Sequence, residues 1–161
     1  MKPLWHGIAG AALGLAAYKV TGSWEFTSVT VAAEILIDID HILDHLIQSD
    51  KPFDIQAFFS FDESLKWKKI MFVFHSYELI LLMAIAAFYF SNPLLWAVAL
   101  GMLVHLILDE IGNRNVSFPI HMVPAFYFFS CRLINGFSVK KLIHRLQEQE
   151  ISNGDKCLKN G

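Results

Sequence analysis

The sequence predicts an all-α protein, an integral membrane helical bundle with four or five transmembrane helices. Two observations carry this reading. Hydrophobic residues make up 55% of the 161-residue chain and charged residues only 17%, whereas about 25% of a typical soluble chain is charged. The apolar residues are also gathered into five segments separated by short polar or Gly/Pro-marked connections, as expected when a bilayer rather than a single core receives them. The mean hydropathy of +0.44 agrees.

The first segment, about Leu4 to Val20, is rich in Gly and Ala. It is read as a retained helix rather than a signal peptide, because no small-x-small cleavage pattern closes it. Gly7, Gly10, Ala11 and Gly14 recur at three- and four-residue spacing and form a stripe that a second helix can approach closely. The second segment runs from about Phe26 to Ile47. The third, about Ile70 to Phe90, is the most apolar. Ser91-Asn92-Pro93 then turns the chain into a fourth, about Leu94 to Ile111, so the third and fourth helices are antiparallel neighbours. The fifth, about Phe118 to Ile134, is aromatic-rich and interrupted by Pro119 and Pro124, which suits a re-entrant or interfacial segment. Residues 1–139 are thus expected to form the bundle. Within them, 48–69 is an interfacial segment with Phe53, Phe58, Phe59 and Phe61 among polar residues, and 140–161 is a polar tail.

The net charge of −2 gives no global basic field, so nucleic acid is not an expected partner. Cys131 and Cys157 form neither a disulfide framework nor a metal knuckle. Lys2, Lys66, Lys68, Lys69 and Arg114 fall on one side of the predicted bundle, while Thr21–Glu25 and Ser91–Pro93 hold no Lys or Arg. The positively charged side is the cytoplasmic one.

Ionisable residues inside apolar helices cost about 2.5–3.5 kcal/mol each on insertion scales, so their placement is informative. The second segment carries Glu34, Asp38, Asp40, His41, Asp44 and His45, the third His75 and Glu78, the fourth His105, Asp109 and Glu110, and His6 opens the first. At 1.5 Å per residue, Asp38, His41, His75, Glu78, His105 and Asp109 all lie within roughly 13 Å of the cytoplasmic end of their helices. Asp38, His41 and His45 follow i, i+3, i+7 spacing, a stripe that Glu34 extends; His75 and Glu78 are i, i+3; and His105 and Asp109 follow i, i+4, the spacing that lets one helix offer two ligands to one metal. Imidazole with carboxylate suits zinc first, with manganese or iron as alternatives. The candidate metal ligands are His6, Asp38, Asp40, His41, His75, Glu78, His105 and Asp109, for one or two divalent ions. Glu78 and Asp40 are also the candidate general bases. His121 and His144 are not expected to be ligands.

The order of these motifs resembles the YdjM-like membrane-bound metal-dependent hydrolases. The matching pieces are His6, Asp38-Ile39-Asp40-His41, His75-Ser76 and His105-Leu106-Ile107-Leu108-Asp109, spread over about Met1 to Asn115. Ile37 stands where that family often has Pro, and the run before His75 lacks the family's Arg. The resemblance implies a hydrolase of the bacterial inner membrane, working at the cytoplasmic face on a lipid or phosphoester. Membrane lipid is the expected partner, a lipid-like molecule the expected substrate, and homo-oligomerisation is left open. The alternative is a metal-binding membrane protein without hydrolase activity: a transporter, a haem-binding bundle or an assembly subunit.

Overall fold

The structure, a computed structural model, describes residues 3–54, 56, 69–113, 124–142 and 144. Its regular elements there are helical: α1 (Pro3–Thr21), α2 (Trp24–Leu36), α3 (Ile39–Gln48), α4 (Tyr77–Tyr89), α5 (Pro93–Asn113), a 3-10 turn (Pro124–Tyr127) and α6 (Phe129–Ile134). One isolated bridge, Lys69 to Ser138, is the sole extended pairing among the described residues.

The helix ends follow from local chemistry. Gly22 closes α1 at φ +65, the left-handed conformation that glycine adopts without a Cβ clash. Its N–H donates to the Tyr18 carbonyl at 2.8 Å. Ser23 then caps α2, its hydroxyl accepting from the Phe26 N–H at 3.1 Å. Ser76 does the same for α4 through the Leu79 N–H at 3.0 Å. Asn92 precedes Pro93 at the start of α5 and accepts from the Leu94 N–H at 2.9 Å. Pro fits that first helical position because its missing N–H would have had no partner there.

Packing is pairwise. α2 packs against both α1 and α5, and α4 packs on α5, so α4 and α5 are antiparallel neighbours as the short turn requires. Of the glycines, Gly101 of α5 is the most tightly enclosed. A Cβ there would collide with the Thr30 carbonyl oxygen and come within 2.9 Å of the Ala33 Cβ. On α1, a Cβ at Gly10 would sit 2.8 Å from Glu34 Oε2, and one at Gly14 2.9 Å from Val31 Cγ2. Two members of the expected small-residue stripe therefore do admit α2, whereas a Cβ at Gly7 would meet nothing. The bundle core is Ile37, Ile80, Ala99, Met102, Leu106 and Tyr127. A second cluster of Ile70, Phe72, Phe126 and Leu142 lies beneath the segment leading into α4.

Several boundaries differ from the sequence expectation. The second apolar segment is two helices, broken at Ile37–Asp38. The Asp40 N–H reaches back only three residues, to the Ile37 carbonyl at 3.4 Å, the tight winding of a 3-10 turn. The third segment is helical only from Tyr77, and 70–76 is a strap. The described part of the fifth is a 3-10 turn and a six-residue helix, too short to cross a bilayer. The sequence places the start of a polar tail at 140, yet Leu142 is buried in the second cluster. Among the described residues, Pro93–Gly112 is the one helix long and apolar enough to cross a membrane. Most of the 48–69 segment, together with His121 and the end of the tail, lies outside the described residues.

Candidate metal centre

The first turns of α1, the α2–α3 break, the strap before α4 and the last turns of α5 meet at one end of the bundle. The turns at Gly22 and Asn92 are at the other. His6, Asp38, His75, His105 and Asp109 therefore come together at that end.

His75 and His105 are the centre of the arrangement, 2% and 0% exposed. Each points its Nε2 at the same two carboxylates. His105 Nε2 lies 3.3 Å from Asp38 Oδ1 and 3.6 Å from Asp109 Oδ2. His75 Nε2 lies 3.5 Å from Asp38 Oδ1 and 3.8 Å from Asp109 Oδ2. Neither Nε2 makes a hydrogen bond: the Asp109 oxygen is too distant from both rings, and Asp38 Oδ1, though nearer, lies off the ring N–H direction. Nitrogens and oxygens about 3.4 Å apart are what a tetrahedral ion with arms of about 2.0–2.1 Å requires of its ligands. Buried imidazole nitrogens that face carboxylates without hydrogen-bonding them can take a cation between them. By this test, Asp38, His75, His105 and Asp109 fit a divalent transition metal.

The outer nitrogens are fixed as well. His105 Nδ1 donates to the Glu34 backbone carbonyl at 2.8 Å. His75 Nδ1 is 3.3 Å from Asp40 Oδ2. Such contacts set the tautomer that leaves Nε2 free for a metal. Glu34 also takes His6, whose Nδ1 is 3.3 Å from Oε1 while its Nε2 is 3.2 Å from Asp109 Oδ1. The carboxylate of Glu34 is fully buried, and Gly10 makes the room for it.

The strap carrying His75 is held by one face of α3. Gln48 grips Lys69 at both its N–H and its C=O, at 3.0 and 2.7 Å. Asp44 accepts from the Met71 N–H at 2.8 Å. Asp40 Oδ2 accepts from the Phe74 and His75 N–H groups at 2.6 and 3.2 Å. These three side chains are spaced i, i+4, i+8 and so stand in a row along the helix. The other edge of the strap bonds Ile70 N–H to the Phe137 carbonyl at 2.9 Å. Within it Phe72 adopts φ +32, a conformation costly for a non-glycine residue, and its ring packs on His41 at 4.3 Å.

Two expected roles are corrected. Asp40 is not placed as a ligand or a free base, since its Oδ2 is occupied by the strap and by the His75 ring. Glu78 is not at the centre. Its carboxylate accepts from the Phe129 and Ser130 N–H groups at 2.8 and 2.9 Å and from the Ser130 hydroxyl at 2.7 Å, which caps α6. His75 and Glu78 do not share a helical face, because His75 precedes the helix. His41 is brought in, with Nε2 3.7 Å from Asp38 Oδ1. His45 is buried but belongs to neither group of three residues able to hold an ion. His144 is exposed.

Sequence reasoning missed three residues. By spacing Glu34 only extends a stripe, and nothing in the sequence marks it as the anchor of two histidines. Gln48 gave no signal. Arg132 is 1% exposed and donates from NH2 to the His75 carbonyl at 2.9 Å, in the electrostatic neighbourhood of Asp40, Glu78 and Asp44. Its signal was available: it is the lone Arg or Lys in the apolar run from Phe118 to Ile134.

Fold and site together define a helical bundle with a buried His/Asp cluster able to hold a metal ion. No protein-family model, no curated protein and no solved structure matches the chain.

Proposed function

We propose that the protein is a membrane-bound metal-dependent hydrolase acting on a phosphoester of a lipid-like molecule at the cytoplasmic membrane face, in the bacterial inner membrane. The observation that carries this reading is the pair of buried imidazole Nε2 atoms aimed at Asp38 and Asp109 without hydrogen bonds. Zinc suits this donor set, with manganese or iron as alternatives. Held by Asp38, His75, His105 and Asp109, such an ion supplies Lewis acidity and a lowered water pKa.

The chain's own residues do the rest. Glu34 and Asp40 hold the two central imidazoles in the tautomer that presents Nε2. Bundle packing keeps bulk water from His105 and Glu34. Asp38 is the open side, its side chain 46% exposed, and there a substrate oxygen reaches the cluster. Ile35, Ile39 and Ile42, also exposed on the same turns, flank that opening with apolar surface suited to a lipid-like molecule. Transport is less well supported, because the buried hydroxyls of the opposite half are bonded within their own helix: Thr27 to the Ser23 carbonyl at 2.8 Å and Thr30 to the Phe26 carbonyl at 2.9 Å.

The test is elemental analysis of detergent-purified protein, paired with hydrolysis of a nitrophenyl phosphodiester in mixed micelles. Stoichiometric transition metal, with turnover lost on chelation and in His105→Ala, is expected. Metal-free protein, or turnover indifferent to both treatments, would sink the reading.

A further inference from the structure

The cluster has more ligand atoms than one tetrahedral ion uses. Asp38, His75, His105 and Asp109 suffice for that ion, leaving His6 and His41 without a role at the metal. Yet the six residues divide into two sets of identical composition. Asp38, His41 and His75 form one set, and His6, His105 and Asp109 the other. Within each set, one ligand atom per residue lies within 4.8 Å of the others. Each is two imidazoles and one carboxylate, a donor set that binds a divalent transition ion and leaves positions open for water and substrate.

We propose that the centre holds two divalent transition-metal ions, one in each set, with the carboxylates of Asp38 and Asp109 bridging them. The inference rests on the metal reading above but divides its ligands between two ions, with His75 on one and His105 on the other.

The bridging follows from how the carboxylates are shared. Asp38 Oδ1 approaches both histidines of its own set, at 3.7 and 3.5 Å, and crosses to His105 of the other at 3.3 Å. Asp109 divides its oxygens. Oδ1 meets His6 at 3.2 Å, while Oδ2 meets His105 at 3.6 Å and crosses to His75 at 3.8 Å. Each carboxylate thus faces histidines of both sets, the disposition of a bridging ligand. Sites that share carboxylates in this way hold their ions about 3.5–4 Å apart.

His6 and His105 are turned alike. Their rings stack at 4.3 Å with 21° between planes, their Nδ1 atoms lie 3.3 and 3.9 Å from Glu34 Oε1, and their Nε2 atoms both face Asp109. One buried glutamate therefore orients both imidazoles of that set. The Asp38 set lies on the open side, with the His41 side chain 22% exposed.

The test is reconstitution of the full-length, chelator-stripped protein in detergent with Mn2+, followed by elemental analysis and electron paramagnetic resonance. Two ions per chain and a spin-coupled spectrum are expected for the wild type. His6→Gln and His41→Gln should each fall to about one ion per chain and lose the coupling. One ion in the wild type, with an uncoupled spectrum, overturns the two-ion proposal while leaving the metal reading standing. A wild type that binds no ion overturns both. If either variant fails to fold, stoichiometry and coupling in the wild type decide alone.

Discussion

The two sides of the centre are built by different means. His6, His105 and Asp109 come from regular helices, and their positions follow from how α1, α2 and α5 pack. Gly10 and Gly101 set those distances, and Glu34, buried between the helices, reads out the result by holding both histidines. His75 comes from an irregular strap, and its position follows from hydrogen bonds. Asp40, Asp44 and Gln48 on one side and Arg132 on the other hold the backbone that carries it. One half of the site is thus a packing product and the other a polar one. Packed helices are bistable rather than continuously deformable, whereas a hydrogen-bonded strap can be loosened one contact at a time. The difference predicts which substitutions abolish the centre and which only weaken it.

Asp109 touches both halves, so Asp109→Ala should have the largest effect. It removes the carboxylate that faces His6, His75 and His105, and metal content should fall below detection by elemental analysis. Gly101→Val acts next, and only through packing. Its added Cβ meets backbone, the Thr30 carbonyl, which cannot rotate away, so α2 and α5 must separate. Overpacking of this kind costs about 1–3 kcal/mol, to be read as a lowered thermal midpoint in detergent, with metal affinity falling because Glu34 and His105 part. An unchanged midpoint would show that the α2–α5 crossing has room for the added side chain. Asp40→Asn tests the polar half. It keeps the side chain's size but weakens an acceptor that serves two N–H groups and the His75 ring. Loss of such an outer partner lowers metal affinity about 10–100-fold, here with little change in midpoint. If Gly101→Val and Asp40→Asn had the same balance of effects, the contrast between the halves would fail.

The packed half was largely legible in the sequence and the polar half was not. His105 and Asp109 share a face by i, i+4 spacing, and His6 enters at the matching depth because helices rise uniformly. Both are consequences of local geometry. The strap is non-local. Nothing near His75 announces that Asp40, 35 residues earlier, holds its N–H and its ring. Apolar periodicity through Ile70–Phe74 reads as helix because Met71, Phe72, Val73 and Phe74 are all apolar. The competing fact, that three side chains of α3 supply the hydrogen bonds a helix would have made internally, is visible only in three dimensions. The break at Ile37–Asp38 was hidden for the same reason: no Pro or Gly marks it.

Glu78 makes the smallest effect and the sharpest discrimination, because helical spacing and structure assign it opposite roles. Spacing from His75 makes it a ligand or a base. In the structure it accepts three hydrogen bonds at the start of α6, and α6 carries Arg132, which in turn holds the His75 carbonyl. Glu78→Gln keeps one oxygen acceptor and loses the charge that favours a helix N-terminus, which is worth about 0.3–1 kcal/mol. The expected outcome is a small drop in thermal midpoint with metal stoichiometry unchanged. A ligand would behave differently, since an amide is a far poorer donor to a transition metal than a carboxylate. Stoichiometry that fell in Glu78→Gln while the midpoint held would return Glu78 to the centre, and the strap would then have to bend toward α4 rather than lie along α3.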